Sequence, residues 1–257
     1  MPKIGLQLYS VRHDYARNYK ETLEEVAAAG YEGVEFAGLY GSGAEELRDL
    51  LRTLGLEPAG AHIGLNDILD EAKAPSTILF QKTIGNQNIV VPILPAEYRE
   101  TRETWLSASR VFGALSKKLG AQDLRLGYHN HRLEFEAKFN GTTAWELFFQ
   151  NTPSDVFIQL DIGHAVAAGN TTTSLVELTR KFPGRIKSIH AKDYSRTHGY
   201  NVYIGEGDVD WNEILGSLKH LEWIIVEQEE YKQNTPIEAA KTSLQNLKEI
   251  LKRLQGK

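Results

Sequence analysis

Leu124-Arg125-Leu126-Gly127-Tyr128-His129-Asn130-His131-Arg132-Leu133-Glu134 is an apolar, strand-like start that runs straight into two histidines, an asparagine and a carboxylate. A strand inside a closed barrel buries its early residues. A run that turns abruptly polar at its carboxyl end therefore predicts that this end opens onto a cavity, where barrel enzymes keep their chemistry. Three later runs end the same way. Phe157-Ile158-Gln159-Leu160-Asp161 stops on a carboxylate with His164 three residues on, Ile186-Lys187-Ser188-Ile189-His190 on an imidazole, and Trp223-Ile224-Ile225-Val226-Glu227 on a second carboxylate. Oxygen and nitrogen donors of this kind, with no thiolate to compete, suit Mn²⁺, Mg²⁺, Zn²⁺ or Co²⁺.

Working outward, eight apolar runs read as strands: 4–8, 34–36, 59–63, 89–92, 124–129, 157–161, 186–190 and 223–227. Helical segments alternate with them. In a chain of 257 residues this predicts one α/β domain over 1–257, a closed (β/α)₈ TIM barrel rather than an open doubly wound sheet. No GxGxxG turn follows the first run, which removes the usual dinucleotide-binding signature. The segment 19–29 has its apolar residues on one face and stops at Gly30, a position for a left-handed cap; 44–54 repeats the plan and stops at Gly55. Further helices are expected at 101–119, 144–150, 174–182, 211–218 and 236–254, while 64–75, with weak periodicity, reads as a loop holding at most a helical turn.

Composition limits the function. The chain has no cysteine, so disulfides and thiolate chemistry are excluded, and cytoplasmic residence is the expectation. Met1-Pro2-Lys3-Ile4-Gly5 passes directly into a strand, so no signal peptide is expected, and no apolar run is long enough to span a bilayer as a helix. A net charge of -5 argues against a nucleic-acid partner and for a small polar substrate.

Alternation along each strand identifies the inward side chains. If Asp161 faces the axis so do Gln159 and Phe157, and if Glu227 does so do Ile225 and Trp223. Gln7, Glu35 and His62 occupy comparable places near the ends of the first three strands. Buried polar groups without partners cost about 1–3 kcal/mol each, so a set of them at one end of a barrel needs a common purpose. His13, His198 and His220 lack such a context and read as surface residues.

The pieces 127–135, Leu160-Asp161-Ile162-Gly163-His164, His190-Ala191-Lys192-Asp193, Gly205-Glu206-Gly207-Asp208-Val209-Asp210-Trp211 and Val226-Glu227-Gln228 together resemble the xylose-isomerase-like barrels, the sugar phosphate isomerase/epimerase superfamily. The resemblance implies one divalent metal ion held by Glu, Asp, His and Glu at the ends of strands five to eight. Carried onto this chain, these are Glu134, Asp161, His190 and Glu227, with His129 as a substitute for the first. It further implies proton abstraction next to a carbonyl through an enediolate, with Glu134, Glu227, His129 and His131 as acid/base candidates and Gln7, Glu35, His62, His164 and Lys192 as substrate contacts.

An isomerase or epimerase of a sugar is the expected activity, and a lyase on a keto-sugar or inosose is the alternative. An AP endonuclease would need a basic DNA-facing surface that an acidic chain lacks, and a non-catalytic sugar-binding protein would have little use for so complete a donor set. The expected partner is a small sugar, without nucleic acid or membrane; a homo-oligomer is compatible with the sequence.

Overall fold

A computed structural model of the chain describes residues 1–38 and 43–256. Eight parallel strands close into a barrel: β1 (Lys3–Gln7), β2 (Gly33–Phe36), β3 (Glu57–His62), β4 (Asn88–Val91), β5 (Arg125–His129), β6 (Phe157–Asp161), β7 (Ile186–Ala191) and β8 (Trp223–Val226). Each pairs with its sequence neighbour and β8 returns to β1, the order expected when every connection packs a helix on the outside. All eight runs in the sequence become strands, their ends displaced by no more than two residues.

The helices follow from local chemistry. Tyr19–Ala29 and Ala44–Leu54 form as expected, ending on left-handed glycines, Gly30 at φ 91° and Gly55 at φ 68°. The longer helix Arg102–Gly120 starts on a reciprocal Thr101/Thr104 cap, and Pro236–Gln255 on Thr235/Glu238. Within 64–75, read as a loop with a helical turn, Leu65–Leu69 is that turn, and the helix not expected from the sequence is Ala74–Thr83, which begins with Pro75 in its first turn. Its apolar residues do not keep to one face, and Leu79 is 66% exposed, so the segment lacked the periodicity that betrays a helix.

Two cores result. Outward-facing strand residues meet the helices; around β5, Tyr128 packs with Phe112, Phe148 and Phe149, and Trp145 with Phe135, Phe149 and Phe182. Fully buried aromatic and aliphatic side chains of this kind contribute about 1.5–3 kcal/mol each. Inside the barrel, Ala59, Trp223 and Ile225 form a separate small cluster, which places Trp223 and Ile225 on the axis side as alternation predicts. Above this plug, the registers that set Gln7 beside Glu35 and Asp161 beside His190 gather the polar strand ends at one mouth.

Candidate functional site

The site begins beneath its floor. Glu35, fully buried on β2, accepts from Gln7 Nε2 at 2.7 Å through Oε2 and from Gln159 Nε2 at 2.7 Å through Oε1. With its amide nitrogen turned to Glu35, Gln159 presents Oε1 to His62 Nε2 at 2.7 Å and His129 Nδ1 at 3.2 Å. An amide oxygen only accepts, so both ring nitrogens must carry protons. Burial, reinforced by neighbouring His190 and His131, pushes the His129 pKa well below the usual imidazole value. His129 is thus neutral, with the lone pair of Nε2 free, 3.9 Å from Asp161 Oδ2.

His190 lies at the centre. Its Nε2 is 2.6 Å from Glu35 Oε2 and its Nδ1 2.9 Å from Glu227 Oε2. Burial alone would lower its pKa, but Glu35 and Glu227 on either side raise it to about 10. Asp161 caps the helix Ile162–Ala167 by accepting from the His164 amide at 2.6 Å, and Asn130 ties the Asp161 backbone to β5 through two hydrogen bonds. The other oxygen, Oδ2, is fully buried and has no hydrogen-bond partner. Lys192 Nζ stands 3.6 Å from it, 2.9 Å from Glu227 Oε2 and 3.2 Å from His164 Nε2, and also pairs with Glu229. Burial works against the ammonium, yet Glu227, Asp161 and Glu229 together hold its pKa above the ordinary lysine value.

Donor atoms of Asp161, His190 and Glu227 all lie within 4.8 Å of one another, as do those of His62, His129 and His190. An orphaned carboxylate oxygen costs free energy where it stands. Combined with a second carboxylate, the free His129 lone pair and the His190 imidazole once a cation displaces its Nδ1 proton, it fits a divalent ion of the Mn²⁺, Mg²⁺, Zn²⁺ or Co²⁺ type. Over these groups opens a cavity of about 420 Å³, walled by Tyr9, Pro92 and Ile93 on one side and by His131, His164 and Glu229 among others.

The residues expected from sequence divide into three sets. Asp161, His190, Glu227 and His129 come together, and His62, His131, His164 and Lys192 line the cavity with His129 and Glu227. Gln7 and Glu35, expected at substrate, are fully buried and absent from the cavity lining; Glu35 is instead bonded to Gln7, Gln159 and His190. Glu134 is not brought to the donor cluster. It sits in the short helix Leu133–Glu136, where Oε1 accepts from the Tyr128 hydroxyl at 2.6 Å and Oε2 from the His131 amide at 2.7 Å. Tyr128 faces the helix layer, so the carboxylate is drawn outward rather than to the axis. Arg132 pairs with Glu136, not Glu134.

Three contributors escaped the sequence reading. Asn130 stood in the polar run 128–134 without an assigned role, and Tyr200, whose hydroxyl is 2.7 Å from His164 Nδ1, carried no pattern that singles it out. Glu229 was within reach, since it lies two residues beyond Glu227.

Comparison with known proteins agrees with the barrel fold. The family model described as xylose isomerase-like TIM barrel matches residues 23–250. An inosose dehydratase of Erwinia tasmaniensis is 20% identical over 267 residues, covering 90% of this chain and 86% of the relative. A crystal structure of a sugar phosphate isomerase/epimerase from Parabacteroides distasonis superposes with a TM-score of 0.77 at 25% identity, covering 96% of this chain and 94% of that one. The IolI protein with a bound zinc atom superposes with a TM-score of 0.75 at 18% identity, covering 98% and 99%.

Proposed function

This chain belongs to the xylose isomerase-like TIM barrel family, and from that premise we propose that it is a metal-dependent enzyme that enolises a sugar or keto-sugar, as an isomerase or epimerase. The observation that carries the reading is the buried Asp161 Oδ2, without a hydrogen bond and set among His190, Glu227 and the free nitrogen of His129. Asp161, His190 and Glu227 would hold the ion, with His129 in the place where the resemblance implied Glu134. A divalent cation there would supply Lewis-acid stabilisation of the negative charge that develops on a carbonyl oxygen.

The chain's own groups do the rest. Lys192 and His190 beside Glu227 outweigh its burial and hold its carboxyl well below the ordinary range, so it stands ionised; both of them meet Oε2, and Oε1 would take the proton from the carbon next to the carbonyl. The Lys192 ammonium, 3.6 Å from Asp161 and 2.9 Å from Glu227, donates hydrogen bonds to substrate oxygens. His129 is then engaged by the ion and by Gln159, and His131, whose ring is 5.0 Å from that of His129, would return the proton. His62 and His164 orient hydroxyls along the wall.

A lyase shares the first step and then expels a β-hydroxyl as water, and the inosose dehydratase names among the relatives favour that second reading. Proton NMR in deuterated water, run on protein loaded with Mn²⁺ and then exchanged to Mg²⁺, separates the two. Deuterium entering an intact carbon skeleton supports isomerisation or epimerisation, and loss of water supports the lyase. A panel of keto- and aldo-sugars and inososes that shows neither ends the enolising proposal.

A further inference from the structure

We infer that this cavity selects an uncharged, polyhydroxylated substrate over its phosphorylated or carboxylated counterpart, and that Glu229 enforces the selection; the inference rests on the sugar-enolising reading of the same cavity. Among the described residues that line it, Lys192 is the one lysine or arginine, and its ammonium is already shared by Glu227, Asp161 and Glu229. Arg12 packs its guanidinium 4.3 Å from the Tyr9 ring, and its Nη1 donates to the Tyr9 carbonyl at 2.9 Å and the Tyr231 hydroxyl at 3.1 Å.

The backbone offers an anion no better reception. Barrel enzymes commonly bind phosphate on amide groups of the loops after the last strands. Here the amides of Gly205 and Gly207, in the loop after β7, donate at 2.7 and 3.2 Å to Asp193 Oδ2, which also accepts from Trp211 Nε1 at 2.9 Å. A Cβ on Gly207 would stand 2.2 Å from Asp193 Oδ1, so the glycine is there to let the chain's own carboxylate fill the cradle. Among the described residues, then, a phosphate meets no guanidinium fork in the cavity lining, and the Gly205 and Gly207 amides that could replace its water are taken by Asp193.

Glu229 adds a repulsive element at the same opening. Its side chain is 36% exposed, paired with Lys192, and lines the cavity beside the donor cluster. A hydroxyl can donate to this carboxylate and accept from Lys192, and the ring and apolar surfaces of Tyr9, Pro92 and Ile93 suit the C–H face of a sugar. An anionic substituent would instead meet a carboxylate in a cleft where charges are only partly screened.

The test uses the full chain loaded with Mn²⁺ and matched pairs, a neutral ketose or inosose against its phosphate ester. Binding is measured by titration calorimetry, and deuterium exchange is followed separately by NMR. The expected result is that the phosphate ester binds at least about tenfold more weakly than its neutral partner, as unit charges held several ångströms apart would give. Inorganic phosphate should fail to displace the neutral ligand, and Glu229→Gln should narrow the gap by a larger factor than the control Glu230→Gln. A phosphate ester that binds more tightly, or a gap unchanged in Glu229→Gln of native circular dichroism, overturns the inference. Neutral ligands that bind with this selectivity but undergo neither exchange nor water loss would leave the inference standing and remove the enolising function. If no member of any pair binds, both fall.

Discussion

The two ends of the barrel hold cavities of similar size, about 420 Å³ at the carboxyl ends of the strands and about 450 Å³ at the amino ends, and both are rich in charge. At the amino end the charges close on one another. Lys3 reaches Glu57 at 2.6 Å, and Arg125 meets Glu222 with two hydrogen bonds of 2.9 and 2.6 Å while its Nε donates to Asn88 at 2.8 Å. At the carboxyl end, Asp161 Oδ2 and His131 Nδ1 are buried without a hydrogen bond, and Lys192, 3.6 Å from that Asp161 oxygen, is shared by three carboxylates. No residue lining the amino-end cavity has such an orphan among the described side chains. Volume and charge therefore do not separate the two ends of the barrel; buried groups left without a hydrogen bond do.

Asp161→Asn should give the largest effect and tests that contrast directly. Its Oδ1 can still accept from the His164 amide, so the helix cap survives and the fold with it, while the orphaned oxygen becomes an amide nitrogen with no lone pair to offer. Changing groups that merely support ligands costs 10–100-fold in metal affinity, so loss of a ligand itself should reach on the order of a hundredfold. Mn²⁺ titration followed by calorimetry should show this together with loss of turnover. Full metal affinity in this variant would erase the distinction between the two ends.

Glu134→Gln is next. Both Glu134 oxygens are satisfied, at Tyr128 and the His131 amide, so this acid at the chemical end should behave like the paired groups at the other. The amide can keep its oxygen on His131 and donate to the Tyr128 hydroxyl, losing the strength that charge lends to two hydrogen bonds, about 1–2 kcal/mol in urea unfolding. Metal affinity should stay within about twofold. A large loss of metal with unchanged stability would restore Glu134 to the donor set.

The contrast between Glu134 and Asp161 also explains what was legible in the sequence. Strands buried on both faces must be apolar until they end, so each terminal polar residue, Asp161, His190 or Glu227, announced itself by position. Glu134 lies five residues past His129, beyond the reach of strand alternation, and a single turn of helix carries it to the outer layer. Glu35 was found as a polar strand end, but its role depends on partners from four strands: Gln7, His62, Gln159 and His190. No local pattern encodes such a set. The helix Ala74–Thr83 failed for the opposite reason, because local pattern was all there was to read and its apolar residues do not share a face.

The smallest effect should come from Arg125→Met, at the end where charges are closed. The side chain packs over Phe157, with its guanidinium 5.9 Å from the ring, and methionine keeps much of that apolar contact while removing the charge. Arg125 and Glu222 are 39% and 37% exposed, so water screens the pair and even a two-pronged contact should be worth no more than about 1 kcal/mol. Lys187, 3.7 Å from Glu222, partly replaces the lost cation. The hydrogen bonds from Arg125 hold the Glu222 carboxyl below its usual range against its partial burial. A group whose folded pKa is depressed lends stability above its unfolded pKa and loses it as pH falls through the folded value. The native protein should therefore lose this increment on the acid side of the ordinary glutamate range, and the variant should have less to lose there, while the two differ by a constant amount near neutrality. Thermal unfolding across that pH range reads the difference, and added salt should shrink it. Metal affinity and turnover should be unchanged, because the Ala59, Trp223 and Ile225 plug separates Arg125 from the donor cluster. A change in metal affinity in Arg125→Met would mean that the plug transmits strain between the ends, and the two cavities could no longer be treated as independent.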